Sequence, residues 1–277
     1  MTDEPLISHP EYFQLADELA LLREELTKLL TDADDLVQIV KPNLRAMYQT
    51  KIGAWEFRLL QVQCEAARLK RKTELAQASL NQGRLPDWTA IEGELELEFM
   101  RWQTKINEAA AKIKAAENRL NHLLPPADSN ALKKLYYALV KMLHPDVNPD
   151  LTDDQERLWL RVQDAYEASD LQELQALALL AEKHSKIQPP PATLESLRQQ
   201  RETLEKQIAT MIEKIDRIES LPPFTLRAQL EDEEWVEARR AEIDAQILEW
   251  QTTRDALTAH LQTLIKGIGH GKQFGNN

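Results

Sequence analysis

The sequence predicts an all-α, elongated protein in which antiparallel helical coiled-coil hairpins flank a small helical core. Apolar residues recur at alternating spacings of three and four through most of the chain, which is typical of helices that pack on other helices. No segment has the period-two alternation of a strand with one buried face. Proline-rich breaks separate the periodic segments and divide the chain into arms and a middle region.

Composition limits the classes of function. The net charge of −12 weighs against a nucleic-acid partner, because phosphate binding depends on basic side chains. Cys64 is the single cysteine and the six histidines are scattered, so we expect no disulfide, metal or cofactor. The first ten residues lack the basic start and apolar run of a signal peptide, and no apolar run is long enough to span a bilayer. We therefore expect a soluble, cytoplasmic protein with no membrane partner.

The N-terminal half predicts one helix and then one hairpin. The helix in residues 1–42 should end before Lys41-Pro42, because proline disfavours helix in the residue before it. Residues 43–124 predict an antiparallel coiled-coil hairpin, since Gly83 and Pro86 mark a short break between two long apolar series. The tryptophans in or beside the seams are interpreted as core anchors. The basic cluster is interpreted as a solvated flank, with a nucleic-acid or acidic-partner contact left open; it contains Arg68, Lys70, Arg71 and Lys72.

The C-terminal part repeats this scheme. Residues 188–266 predict a second antiparallel hairpin, with its break at Pro222-Pro223 and proline-rich linkers ahead of it. Residues 267–277 hold four of the seven glycines and are expected to be a flexible tail. The sequence leaves open whether the arms pair within one chain or between chains, so a homo-oligomer also stays open.

The middle region, residues 125–187, carries the functional signal. A predicted helix places Leu132, Leu139 and Leu143 on one face and three lysines, Lys133, Lys134 and Lys141, off it. No acid occurs between Ser129 and Pro145, which in an acidic chain suggests an acidic partner surface.

A loop and a second helix follow. Pro145 cannot continue the first helix, so His144 should lie at its end. The stretch Asp146-Val147-Asn148-Pro149-Asp150 is turn-rich, and Thr152 begins a helix with acids in its first turn. That helix should bury one face, made of Leu158, Trp159, Val162, Ala165 and Tyr166.

Residues 129–171 resemble the second helix, loop and third helix of J domains, the co-chaperone modules of DnaK-type heat-shock ATPases. His144-Pro145-Asp146 matches the family's signature tripeptide, Tyr136 its helix-two aromatic, and Ala165-Tyr166 its Ala-Tyr pair; Trp159 replaces the usual Phe. The family's first helix is missing, and we expect the end of the first arm to replace its packing through Leu120, Leu123 and Leu124. Two positions of helix two that are usually basic in the family are Tyr137 and Ala138 here. There is also no Gly/Phe-rich linker and no four-cysteine zinc region, and these two absences rule out a full DnaJ-type protein.

The resemblance implies a co-chaperone that docks on a DnaK-type chaperone, stimulates its ATP hydrolysis and brings it to a client through the arms. The chaperone-binding residues would be His144, Pro145, Asp146, Lys133, Lys134, Lys141 and Tyr137. The alternative is a coiled-coil scaffold with an inactive J-like core. We expect no enzyme, because no third catalytic partner, phosphate loop or metal set accompanies His144 and Asp146.

Overall fold

The computed structural model describes residues 10–184 and 193–271, and all regular structure within them is helical. The all-α prediction is therefore confirmed. No helix in the described part of the chain combines the length and apolarity that a bilayer span requires. The helices are α1 (Pro10–Asp34), α2 (Lys41–Tyr48), α3 (Ala54–Asn81), α4 (Trp88–Asn121), α5 (Pro126–Leu143), α6 (Asp153–Glu167), α7 (Leu171–His184), α8 (Leu194–Glu219), α9 (Arg227–Glu231) and α10 (Glu233–Gly271).

The chain divides into two compact units, and each is discontinuous in sequence. The first contains the described parts of Met1–Leu44 and His122–Leu226. The second contains the described parts of Arg45–Asn121 and Arg227–Asn277. This division differs from the predicted order of helix, hairpin, core and hairpin, because each unit combines segments from both halves of the chain.

The first unit packs α1, α5, α6, α7 and α8 around one hydrophobic core. Each helix contributes side chains that are almost fully buried, and each such side chain stabilises the fold by about 1.5–3 kcal/mol relative to an exposed position. The deepest residues are Leu26 of α1, Tyr136 and Leu139 of α5, Val162 and Tyr166 of α6, and Leu174 and Leu177 of α7.

Helices α1 and α8 lie side by side in parallel orientation. Arg198 pairs with Glu11, and Arg201 pairs with Glu18 at 3.4 Å. Arg23 donates a hydrogen bond to Gln200 over 2.9 Å. The contacts run from Glu11 with Arg198, near the start of both helices, to Asp34 with the charge of Lys214, near the end of both, so the two helices run in the same direction. Beside these polar contacts, Leu197, Leu204, Ile208 and Met211 of α8 join the core.

The predicted second hairpin, residues 188–266, is wrong as a packing unit. Its first helix, α8, belongs to the first unit and packs along α1, whereas its second helix, α10, belongs to the second unit and packs along α3. Apolar spacing established that both helices have a partner but carried no information about which helix it is.

The second unit places α4 and α10 on α3. Helix α4 runs antiparallel to α3, and ion pairs join Arg68 to Glu92 and Arg71 to Glu94 and Glu98. Helix α10 runs parallel to α3: Arg254 pairs with Glu65 at 3.0 Å, and Arg240 donates to the Lys51 carbonyl over 2.8 Å, both at a separation of 189 residues. The predicted first hairpin, residues 43–124, therefore shares α3 with a third helix.

The helix predicted to end before Lys41-Pro42 instead continues past it. A π-helical segment, Asp35–Val40, comes immediately before α2, and the Lys41 amide donates to the Leu36 carbonyl, five residues back. Proline removes one backbone hydrogen bond and crowds the preceding turn, and the wider π turn gives the ring room. The helix therefore has no break at residue 42, although the two compact units divide the chain only two residues later, between Leu44 and Arg45.

The proline-rich linker predicted ahead of the second hairpin and the predicted flexible tail fall mostly outside the described residues. The linker at residues 188–192 lies there, as do residues 272–277 of the predicted tail. The first part of that tail is helical instead, since α10 extends to Gly271. Glycine lowers helix stability by only about 1 kcal/mol at each position, which an established helix tolerates at its end.

Candidate functional site

Helices α5 and α6 form the frame of the candidate site. Five α5 side chains and five α6 side chains are buried, and a loop of nine residues connects the two helices. Thr152 caps α6 reciprocally: its hydroxyl accepts from the Gln155 amide, and the Gln155 side chain accepts from the Thr152 amide. This capping box satisfies two amides that would otherwise lack a partner and fixes where the loop ends.

An aromatic stack joins the two helices. The rings of Tyr136 and Tyr166 are 3.8 Å apart between centroids and nearly parallel, with an interplanar angle of 12°. Trp159 also stacks with Tyr136, at 5.9 Å between ring centroids. Tyr136 donates its hydroxyl to Asp34 over 2.7 Å, and Tyr166 donates to Asp35 over 2.9 Å. Burial and these carboxylates raise the pKa of both tyrosines, so both remain protonated donors.

The His144-Pro145-Asp146 loop is closed against the end of α5. His144 leaves the helix in an extended conformation, as expected before proline, while its amide still donates to Val140. The amides of Val147 and Asn148 turn back to the His144 carbonyl over 3.1 and 2.9 Å. The Asn148 side chain donates to the Lys141 carbonyl over 2.9 Å, which satisfies a helix-end acceptor and ties the loop to α5.

The His144 ring is half-buried rather than fully exposed. It meets Trp159 edge-on at 5.0 Å, with an interplanar angle of 68°. Its Nδ1 accepts from the Asp146 amide over 3.0 Å, so the neutral ring carries its proton on Nε2. Burial lowers the pKa of His144 despite the opposing influence of Asp146 and Asp34; Lys214 of α8 lowers it further. Pro145 and Asp146 are exposed beside it.

The predicted basic face of α5 is in contact with acids of α1. Lys133 pairs with Asp32 at 3.2 Å and with Asp35 at 3.1 Å. Burial works against the Lys133 ammonium, yet the hydrogen bonds and charges of Asp35 and Asp32 raise its pKa. Lys134, by contrast, is exposed.

Farther along α5, Glu24 of α1 receives two side chains. Lys141 donates to it over 2.7 Å, and Tyr137 donates through its hydroxyl. These hydrogen bonds, first from Lys141 and then from Tyr137, lower the pKa of Glu24. Burial, and then the bond to Glu24, raises the pKa of Tyr137 to about 12.

All seven predicted site residues lie on α5 and its loop, and the structure adds four acids that the sequence interpretation did not include: Glu24, Asp32 and Asp34 of α1, and Asp35, the residue after α1. Asp34 is partly buried, and burial raises its pKa although Tyr136 donates to it. The signal that could have indicated the last three is the cluster of aspartates at residues 32–35, which contrasts with the acid-free part of α5.

Most of the packing expected from the end of the first arm comes from α1. Leu26, Leu30 and Ala33 are buried in the same core as α5 and α6. Of the residues predicted to fill this role, Leu124 packs against that core while partly buried, whereas Leu123 is exposed. A helix from the N-terminus therefore supplies most of the third layer of this site, and the segment directly before α5 adds Leu124.

The basic cluster of the first arm is engaged within its own unit. Arg68, Arg71 and Lys72 pair with glutamates of α4, which supports the interpretation of a solvated coiled-coil flank. Lys70 is exposed. Among the described residues, no group of three His, Cys, Asp or Glu side chains is placed to hold a metal ion.

Comparisons with known proteins leave the chain without an assigned family. No protein-family model matches its sequence, and no curated protein and no solved structure matches it significantly.

Proposed function

We propose that this protein is a J-domain-type co-chaperone that docks on a DnaK-type heat-shock ATPase and stimulates its ATP hydrolysis. One observation carries the proposal. The His144-Pro145-Asp146 tripeptide lies on a loop that joins two packed helices, with its backbone tied to α5 and its last two residues exposed. A loop held in this way presents directed polar groups to a partner with little entropy left to lose on binding.

In this proposal, the loop supplies polar contacts and the lysines supply electrostatic attraction. The Asp146 carboxylate is an exposed acceptor, and the His144 Nε2–H is a donor on the same loop. Lys134 is exposed at the basic face and would steer an acidic partner surface in a salt-dependent manner. The chemistry itself, hydrolysis of ATP, belongs to the partner, so the protein acts as a trigger and not as an enzyme.

The helices of the second unit are proposed to recruit the client. Helix α4 exposes apolar side chains, Leu97 and Met100, on a unit that is otherwise heavily charged. Linking a docking module to a client-binding module raises the local concentration of the chaperone at that client, which offsets weak docking.

The direct test is single-turnover ATP hydrolysis by a purified DnaK-type chaperone with the full-length protein added. Asp146→Asn should abolish the stimulation. Asp150→Asn removes the same charge from the same exposed loop and should leave it intact. Equal stimulation by the two variants, or none by the wild-type protein across a range of chaperones and salt concentrations, would exclude a J-domain-type action.

A coiled-coil scaffold with an inactive J-like core is the second candidate. The observation that favours it is that Lys133 and Lys141 already pair with acids of the same chain. In that case, the Asp146→Asn and wild-type proteins would be equivalent in every chaperone assay, while loss of the second unit would abolish partner binding.

A further inference from the structure

The acids of α1 hold the side chains through which α5 is proposed to dock. Glu24 accepts from both Lys141 and Tyr137, and Asp32 and Asp35 both pair with the Lys133 ammonium. Three of the seven proposed docking residues are therefore engaged by α1 and by Asp35, the residue that follows it. The acid-free basic helix suggests an acidic partner surface, so these acids supply within the chain the kind of group that the partner would supply.

Helix α1 also packs against the apolar face of α5, next to the docking residues. Leu26 is fully buried and Leu30 is 4% exposed, and both lie in the core that contains Tyr136 and Val140 of α5. Tyr136, the aromatic residue that belongs to the J-domain signature, has no exposed surface and stacks on Tyr166. This packing holds the acids of α1 beside Lys133, Tyr137 and Lys141.

We propose that α1 is an intramolecular cover of the docking face, and that a DnaK-type chaperone binds α5 only when the acids of this cover release Lys133, Tyr137 and Lys141. The inference rests on the proposed function and specifies its regulation: docking is weakened, but not abolished, by the cover. Only the open fraction binds, so the apparent dissociation constant equals the intrinsic value divided by that fraction.

The ion pairs of the cover can be exchanged for pairs with a partner. The side chains of Lys133 and Lys141 are 44% and 57% exposed, and those of Asp32 and Glu24 are 38% and 50% exposed. Ion pairs at such positions contribute little individually, because water screens them. A partner carboxylate can replace Glu24 or Asp32 without leaving a buried charge unpaired. Opening therefore begins at these two acids, whereas the bonds from Tyr136 and Tyr166 to Asp34 and Asp35 oppose it.

The experiment weakens the cover without touching α5. Glu24→Gln combined with Asp32→Asn removes the carboxylate that holds Lys141 and one of the two carboxylates that hold Lys133, and it leaves every α5 side chain intact. Asp35, the other carboxylate on Lys133, is kept because Tyr166 donates to it. The measurement is the affinity of the full-length protein for an immobilised, ATP-bound DnaK-type chaperone. We expect the double variant to bind about threefold more tightly or better, because a larger fraction is open.

The matched control removes two negative charges from the same helix at its other contact. Glu11→Gln combined with Glu18→Gln breaks pairs with Arg198 and Arg201 of α8 and makes no change next to α5. This control should bind as the wild type does. If it binds as tightly as the Glu24/Asp32 variant, the effect is one of net charge, and the cover is excluded.

A second readout, without any chaperone, separates the cover from the docking function. In the Glu24/Asp32 variant, acetylation by an N-hydroxysuccinimide ester should become faster at Lys133 and Lys141 and stay unchanged at Lys134. Unchanged acetylation rates at Lys133 and Lys141 would overturn the cover. If the wild type and the Glu24/Asp32 variant bind the chaperone equally, and each loses binding with Asp146→Asn, the cover is overturned and the docking function stands. If the lysines are released but no protein binds, the docking function itself fails, and the regulation with it.

Discussion

Tyr136 and Tyr166 lie face to face, 3.8 Å apart, and their hydroxyls bond to two consecutive aspartates, Asp34 and Asp35. These two rings therefore join three helices: α5 and α6 through the stack, and the end of α1 through the hydroxyls. The bonds lie where α1 passes into its first π-helical segment, Asp35–Val40.

Removing the Tyr136 hydroxyl should destabilise the first unit. Tyr136→Phe keeps the stacked ring but leaves the buried Asp34 carboxylate without its donor, and a buried group left without a partner costs about 1–3 kcal/mol. The measurement is urea unfolding followed by circular dichroism. Tyr137→Phe is the matched control: it removes a hydroxyl at a more exposed position, from Glu24, and should cost less than about 1 kcal/mol.

His144 should make stability depend on pH. Its folded-state pKa is lowered below its ordinary 6.5, mainly by burial, so the unfolded chain binds the proton more readily. Stability should then be lost as the pH falls from about 6.5 through the lowered value.

Asp34 should act in the opposite direction. Because burial raises its folded-state pKa above 3.8, stability should fall as the pH rises through that raised value. The measurement for both groups is the urea midpoint from about pH 7.5 to about pH 4. His144→Gln should remove the loss that begins below pH 6.5 and leave the Asp34 dependence, whereas an unchanged profile would mean that the burial of His144 does not contribute to stability.

Asn148 should matter for docking more than for stability. Asn148→Asp keeps the size of the side chain but removes the amide donor to the Lys141 carbonyl, so the loop loses one attachment to α5. We expect a cost of about 0.5–1.5 kcal/mol in unfolding free energy and a clear loss of ATPase stimulation. Asn130→Asp, an exposed change in the first part of α5, should alter neither. Full stimulation by Asn148→Asp would show that the loop does not need this bond.

The parallel alignment of α1 and α8 can be tested by cross-linking. In a Cys64→Ser background, cysteines at Glu11 and Arg198, which are ion-paired, should react with a short bis-maleimide within one chain. Cysteines at Glu11 and Arg217 would be joined only if α8 ran antiparallel, because Arg217 lies at the other end of that helix. Gel mobility after proteolysis between the two positions distinguishes the products.

Local chemistry determined the parts of the site that the sequence predicted. Pro145 ends α5 because it lacks an amide proton, and Thr152 with Gln155 begins α6 through a capping box. These effects act over a few residues, so reading the chain in order was sufficient to predict the helix-loop-helix frame and the position of His144.

The partners of the long helices depended on information that is not local. Leu197, Leu204 and Ile208 indicate that α8 has an apolar face, and the spacing would be the same for any partner. The alignment of α8 along α1 is seen instead in contacts such as Arg198 with Glu11, which are separated by 187 residues. The acids that meet Lys133 and Lys141 were missed for the same reason, since only the folded chain brings α1 to α5.

The long stretch of sequence that separates α1 from its partner α8 has a consequence for synthesis on the ribosome. Helix α1 is translated about 180 residues before its partner, which at typical elongation rates is on the order of 10–40 s. Throughout that interval, Leu15, Leu19 and Leu26 lack the α8 side chains of their final core. The nascent chain therefore exposes apolar side chains of α1 for many seconds. A chaperone that binds unfolded segments would protect them from aggregation until α8 has been synthesised.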